Sequence, residues 1–263
     1  RNGATGLRPT YGRVSRHGVM SLSWSMDKVG PICRSVQDCE IVFDAIYGHD
    51  PKDPSTNEAS FEGINQSPQS LKVAYLKRDI DRDTTDTGDH LRRALRAFRK
   101  MGVEPKAITM PGDYPYAVFD IILRAEAGAF FDELVTSGVV DDMVEQTAGS
   151  RANSLRQSRF IPAVEYIQAN RQRRRLIEEI HQLFKGYDVI IAPTFRGRQL
   201  FVTNLTGHPA LSLPTGFDRK GRPTSLTLLG ILYEEGSILS LAKAFQKVTD
   251  YHLQQPPLFA AKK

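Results

Sequence analysis

The chain has 263 residues, 40% apolar and 25% charged, with 35 Lys and Arg against 30 Asp and Glu for a formal net charge of +5. This balance belongs to an ordinary globular protein and argues against a disordered, fibrous or collagen-like chain. Cys33 and Cys39 are too few for a disulfide scaffold and lack paired zinc-ligand spacing, and no apolar run approaches the roughly 20 residues that span a bilayer. The mild basic excess permits an anionic partner without requiring one. The chain opens on Arg1-Asn2-Gly3, with neither an initiator Met nor a targeting segment, and reads as part of a longer protein.

Residues 1–32 are rich in Gly, Ser and Arg and predict short strands and turns. Ser35-Val36-Gln37-Asp38 has the form of a capping box, and Val36, Cys39, Val42, Phe43 and Ile46 follow at helical spacing up to Gly48. The polar stretch from Asp50 to Ser70, with Pro51, Pro54 and Pro68, predicts a surface loop long enough to be an insertion point or a lid. Leu71–Leu76 predicts a strand, Asp89–Lys100 a helix burying Leu91, Leu95 and Phe98, and Val103–Met110 a second strand. Strand, helix and strand with short joints make a βαβ unit and place the chain in the α/β class. Further helices are expected over 115–137 and Pro162–Lys185. The continuous apolar run Tyr187–Pro193 predicts a buried strand, Ala210–Leu213 and Ser225–Leu229 two more, and Ser237–Thr249 the closing helix.

The standard catalytic constellations are largely eliminated. No Ser stands in G-x-S-x-G, there is no H-E-x-x-H, and the six His are scattered, so neither a hydrolase elbow nor a metal site has support. Gly216 to Gly221 has P-loop glycine spacing without the following Lys and hydroxyl. Gly3-Ala4-Thr5-Gly6 reads as a tight turn between strands. Cys33 beside Arg34 could be an activated thiolate, but a small buried apolar residue before a helix is the favoured reading. Arg171-Gln172-Arg173-Arg174-Arg175 invites a nucleic-acid hypothesis. Glu178 and Glu179 follow four residues after Arg174 and Arg175, and no aromatics interleave, so a solvated helix face is favoured. The sequons at Asn65 and Asn204 carry no weight without a sign of secretion.

Two runs crowded with Gly, Pro and Asn have the character of loops around a site. One is Gly6-Leu7-Arg8-Pro9-Thr10-Tyr11-Gly12-Arg13-Val14-Ser15-Arg16, continuing through Ser23-Trp24-Ser25-Met26-Asp27-Lys28-Val29-Gly30-Pro31. The other is Thr203-Asn204-Leu205-Thr206-Gly207-His208-Pro209-Ala210-Leu211-Ser212-Leu213-Pro214-Thr215-Gly216. Together with Gly48-His49-Asp50-Pro51-Lys52-Asp53 and Tyr187–Thr194, they resemble the amidase signature family over nearly the whole chain, most weakly in the middle third.

The resemblance implies an α/β/α sandwich around a mixed sheet, incomplete at the N-terminal side, with residues 1–263 forming one domain. It also implies hydrolysis of a small carboxamide through a Ser–cis-Ser–Lys triad. Lys, acting through the cis Ser, deprotonates the nucleophilic Ser, which attacks the amide carbonyl; ammonia leaves and water releases the acyl group. In the family all three residues precede the segment that matches Arg1. None is therefore carried onto a position here, Ser15, Ser23 and Ser25 are not promoted in their place, and this chain alone is expected to be inactive.

Substrate-side residues implied by the resemblance are Arg151 and Arg159, either of which could hold a substrate carboxylate or be structural. Asn204, Thr206 and His208 would face the pocket or cap the adjoining turn, with a structural role favoured. The Phe195–Val202 connection is shorter than is common in the family. No cofactor and no metal are implied, and a cytoplasmic location is expected. Besides the small amide substrate, partners could be a second copy of the chain. Alternatively, if the chain is the A subunit of a glutamyl-tRNA amidotransferase supplying ammonia, they would be its other subunits and tRNA. A non-catalytic binding module is the third reading.

Overall fold

A computed structural model describes residues 2–64, 66–112 and 114–255; the sequon at Asn65 lies outside them. Seven strands form one mixed sheet: β1 (Thr5–Arg8), β2 (Ile32–Cys33), β3 (Val73–Leu76), β4 (Lys106–Ile108), β5 (Val189–Pro193), β6 (Ala210–Phe217) and β7 (Pro223–Gly230). Their order is β2-β1-β6-β7-β5-β3-β4. β5, β3 and β4 run parallel, and β2, β1, β6 and β7 pair antiparallel. The helices are α1 (Val36–Ile46), α2 (Lys77–Asp81), α3 (Asp86–Lys100), α4 (Val118–Phe130), α5 (Asp132–Thr136), α6 (Arg151–Ser158), α7 (Ala163–Phe184), α8 (Gln199–Thr206) and α9 (Glu235–Lys247).

β5 shows why this is a sandwich. Its residues alternate between two cores: Val189 and Ile191 pack with α1, α3 and α9 through Phe43, Phe98 and Phe245, whereas Ile190 and Ala192 pack with α4, α7 and α8 through Ile122, Ile180 and Leu205. A strand covered on both faces reads as a continuous apolar run because neither side meets water. The expected α/β/α sandwich around a mixed sheet is the observed one, and the βαβ unit is β3, α3 and β4, with the short α2 added after β3.

Local chemistry sets several boundaries. Ser35 Oγ accepts from the Asp38 amide at 3.1 Å while the Asp38 carboxylate accepts from the Ser35 amide at 3.0 Å, so the capping box starts α1 as expected. Only Val36, Cys39 and Phe43 are buried on that helix; Val42 and Ile46 face outward because the sheet covers a narrow stripe. The single helix expected over 115–137 is broken at Phe131, whose φ of −98° and ψ of 24° separate α4 from α5. The segment after Pro193 is a loop only as far as Arg198; Gln199–Thr206 is helical and stops at Gly207, whose φ of 82° is the left-handed C-cap that glycine adopts without a Cβ penalty. The strand expected over Val103–Met110 is confined to Lys106–Ile108, and α6 lies where no helix is anticipated. Thr5 and Gly6, read as part of a turn, belong to β1.

Candidate functional site

The long Asp50–Ser70 segment is pinned by the first glycine-rich run. Arg13 is 1% exposed; its guanidinium lies 3.3 Å from the Glu235 carboxylate and donates to the carbonyls of Ala59 and Ser60. The rings of Phe43, Tyr47 and Tyr233 surround it at 5.1–5.7 Å. Glu235 also accepts from the Thr10 amide at 2.8 Å. The Arg16 amide donates to Asp53 at 2.8 Å; burial pushes the Asp53 carboxyl up, but hydrogen bonds from Ser55 and Arg16 outweigh it and hold the group far below its ordinary range. At Gly12, with φ of 80°, a Cβ would stand 2.2 Å from the Ser55 carbonyl oxygen. The segment read as long enough to be an insertion point or a lid is thus clasped to Arg13 and Arg16, and the first run is structural at its centre.

The rest of that run forms one wall of an open cleft of about 590 Å³. Ala4, Gly6 and Arg8 of the β1 segment, Lys28, Thr194, Gln199, Leu200, Ser212 and Thr227 line it. Three hydroxyls from neighbouring strands or their ends make a row across it: Thr227 Oγ1 donates to Thr194 Oγ1 at 3.0 Å and lies 3.2 Å from Ser212 Oγ. Gln199 Nε2 donates to the Thr194 carbonyl at 2.8 Å, while Gln199 Oε1 is buried without a hydrogen-bond partner among the described residues. Buried polar atoms are rarely left so, which makes this oxygen a candidate acceptor for a ligand.

Two cations sit at the cleft. Arg8 is held by Asn204 Oδ1, which accepts at 3.0 Å, and by Thr203 Oγ1, and burial lowers its pKa to about 10. Lys28 Nζ donates to the Met26 carbonyl at 2.9 Å and the Thr203 carbonyl at 3.5 Å. Burial, then the charges of Arg8 and Arg173, push its pKa down to about 7.

Behind Lys28 lies a buried polar hub. The Glu126 carboxylate on α4 accepts from Ser25 Oγ at 2.7 Å, the Ser25 amide at 3.2 Å, Tyr166 Oη at 3.0 Å and Ser23 Oγ. Arg173 on α7 donates to Ser25 Oγ at 2.7 Å, the Ser25 carbonyl at 2.8 Å and the Leu205 carbonyl at 2.5 Å. The Arg171–Arg175 cluster therefore divides. Arg171, Arg174 and Arg175 are on the solvated face, with Arg174 3.3 Å from Glu178, but Arg173 turns inward and ties α7 to the Ser25 loop and to α8. Cys33, expected to be buried, is only half-buried in β2.

The residues implied by the resemblance divide between two places. Asn204, Thr206 and His208 come together at the C-terminal end of α8, where none lines the cleft and Asn204 reaches it only through Arg8. Thr206 Oγ1 donates to the Val202 carbonyl at 2.8 Å and lies 2.7 Å from His208 Nδ1. Since the hydroxyl has one proton, His208 Nδ1–H donates to it. The His208 ring stacks on Phe184 at 4.8 Å, and burial lowers its pKa to about 4, so it is a neutral packed ring. Arg151 and Arg159 lie apart, at the two ends of α6: Arg151 borders a separate shallow hollow with Asp120 and Arg124, and Arg159 pairs with Asp132 on the surface.

Lys28, Gln199 and Glu126 are not singled out by the sequence, and Arg173 is assigned with its neighbours to the solvated face. For Glu126 and Arg173 a signal of burial exists. Glu126 is in phase with buried Val118 and Ile122 on α4, and Arg173 with Ala169, Leu176 and Ile180 on α7. A charge on an apolar stripe announces a buried partner.

The mixed sheet between two helical layers, with an open cleft at its antiparallel side, is an α/β/α sandwich. The Amidase family model matches residues 1–200, and the chain belongs to this family. The chain is 29% identical over 308 aligned residues to the A subunit of glutamyl-tRNA(Gln) amidotransferase from Picosynechococcus, covering 97% of this chain and 62% of that protein. The same identity relates it to the corresponding Halalkalibacterium halodurans protein over 301 residues, with the same two coverages. Among solved structures, the peptide amidase of Stenotrophomonas maltophilia superposes with a TM-score of 0.79 at 23% identity, over 98% of this chain and 60% of that one. The glutamyl-tRNA(Gln) amidotransferase protein of the same type from Thermotoga maritima gives 0.73 at 24%, over 93% and 58%. The chain thus spans about three fifths of the length of these relatives. Among the described residues, no helix is long and apolar enough to cross a membrane.

Proposed function

We propose that the chain supplies the substrate-side wall of a carboxamide-cleaving enzyme, with the bond broken in the cleft between β1, β6 and the start of α8. The observation that carries this reading is a small set of polar groups in a largely apolar cleft, in a chain of the Amidase family: a hydroxyl row beside a buried, unpartnered Gln199 Oε1, which the N–H of a primary carboxamide would satisfy. Asn2 and Ala4 line the same cleft, so residues preceding them in the chain would stand at its rim, where the resemblance puts the Gly-Gly-Ser loop. In this reading the nucleophilic Ser attacks the amide carbonyl as Lys takes its proton through the cis Ser. The nitrogen leaves as ammonia and water releases the acid. Arg8, Lys28 and Gln199 contact the substrate, and the Arg13 clasp keeps the wall in place.

A second reading is favoured by the relatives named as glutamyl-tRNA(Gln) amidotransferase components: the ammonia is passed to another polypeptide of a complex rather than released. The test is ammonia release by the full-length native protein from a panel of primary carboxamides that includes glutamine. Release from simple amides by the protein alone supports the hydrolase. Glutamine-restricted release that rises on adding partner subunits and charged tRNA supports the amidotransferase. No release under either condition retires both.

A further inference from the structure

We infer that Lys28 and Arg8 form an anion subsite in the cleft, which takes a carboxylate carried by the amide substrate. The inference rests on the amide-processing reading above and names the substrate class it serves.

Both side chains line the cleft, and among the described residues neither has an acidic partner within 4 Å. Arg8 Nε is buried without a hydrogen-bond acceptor, although the two outer nitrogens are held by Asn204 and Thr203. Lys28 has three N–H donors and only two carbonyl acceptors, the second at 3.5 Å. The nearby acids are committed elsewhere. Asp27 Oδ2 accepts from Ser21 Oγ at 2.9 Å, the Leu22 amide at 2.6 Å and the Ser23 amide at 2.8 Å. Glu126 is taken up by Ser23, Ser25 and Tyr166.

The charged groups acting on Lys28 are Arg8 from β1, Arg173 from α7, and Arg16 and Asp27 from its own segment, so cations outnumber acids around it. Desolvated cations without a counter-charge carry a penalty that a bound anion removes. A carboxylate between them accepts from Arg8 Nε, the one guanidinium nitrogen without an acceptor, and supplies the missing acceptor of Lys28. It also raises the Lys28 pKa from about 7, so that binding at slightly alkaline pH takes up a proton. A cleft of about 590 Å³ accommodates a small substrate carrying both groups.

The test titrates the full-length native protein calorimetrically with succinamate, which bears an amide and a carboxylate, and with neutral propionamide. Wild type, K28M and K28R are compared near pH 7, and wild type and K28M again at about pH 8 in two buffers of different ionisation enthalpy. The expected result is a preference for succinamate of at least about tenfold in wild type, lost in K28M and largely kept in K28R, with proton uptake at the higher pH that K28M lacks. Matching thermal unfolding of the variants separates binding from folding.

An unchanged ratio in K28M overturns the subsite. So does a wild type with neither preference nor proton uptake, the result if a carboxylate from a flanking segment already occupies Lys28. Ammonia release is followed in parallel. Lys28-dependent succinamate binding without ammonia release from either amide retires the hydrolytic reading alone; ammonia release with an unchanged K28M ratio retires the subsite alone.

Discussion

At His208 the ring stacks on Phe184, its Nδ1–H is spent on Thr206, and burial lowers its pKa from 6.5 to about 4. In the unfolded chain the ring takes up a proton near pH 6.5, while in the folded chain it stays neutral until about pH 4. Its contribution to stability is therefore complete above about pH 6.5 and lost as the pH falls toward 4, to a total of about 3 kcal/mol. Urea denaturation at pH 7 and pH 5 checks this: stability falls between the two in wild type, and the fall is smaller in H208N, which keeps a side-chain N–H for Thr206 but does not titrate. Lys28 is the contrasting case. Nothing in Asp27-Lys28-Val29-Gly30 distinguishes it from a solvated turn lysine, because the Thr203 carbonyl it donates to and the Arg8 and Arg173 charges that act on it are distant in the chain. Glu126 and Arg173 fall between these extremes, since their phase on α4 and α7 is legible while their meeting at Ser25 is not.

Among elements, the clasp around Arg13 joins three pieces distant in sequence: the loop after β1, the 59–60 carbonyls and the start of α9. The ion pair is buried on both sides, so removing one partner strands the other charge in a dry, aromatic setting. Arg13→Ala is expected to cost about 3–5 kcal/mol in urea unfolding, whereas Arg13→Met with Glu235→Gln costs less than either single change. Equal losses in Arg13→Ala, Arg13→Met and the double variant, with Glu235→Gln close to wild type, would show that the aromatic packing, not the charge, carries the effect. The helix α8 teaches a related lesson. Phe195–Val202 reads as a connection because Gly197 and two Arg interrupt any apolar period, yet from Gln199 the burial of Val202 and Leu205 under α7 makes the segment helical. That helix sets Gln199 at the cleft and Asn204 against Arg8.

Across the full fold, the two helical layers do not cover the sheet evenly. β2 is an edge strand of two residues whose Ile32 is 78% exposed, and Met20, Phe195 and Leu200 are exposed as well, with Phe195, Leu200 and Ile32 at the cleft. An open strand edge beside apolar surface invites pairing with another chain. The 263-residue chain produced by itself is expected to elute from a sizing column above its 29.4 kDa mass, and Ile32→Lys to shift it toward the monomer. A monodisperse monomer for the unaltered chain would contradict this. β4, the other edge, carries an exposed lysine at Lys106 and has a built-in guard of the kind Ile32 lacks.

The α/β class, the buried strand β5, the capping box of α1 and the family are all legible in the residues alone, because periodicity, caps and glycine-rich runs act over a few positions and leave a local trace. Folding was needed to make Arg13 a clasp and His208 a neutral packed ring, to part Arg173 from its solvated neighbours, and to bring Lys28 and Arg8 into one cleft. Those outcomes depend on desolvation and on hydrogen bonds between residues as far apart as Arg8 and Asn204, and neither quantity exists until the chain has folded.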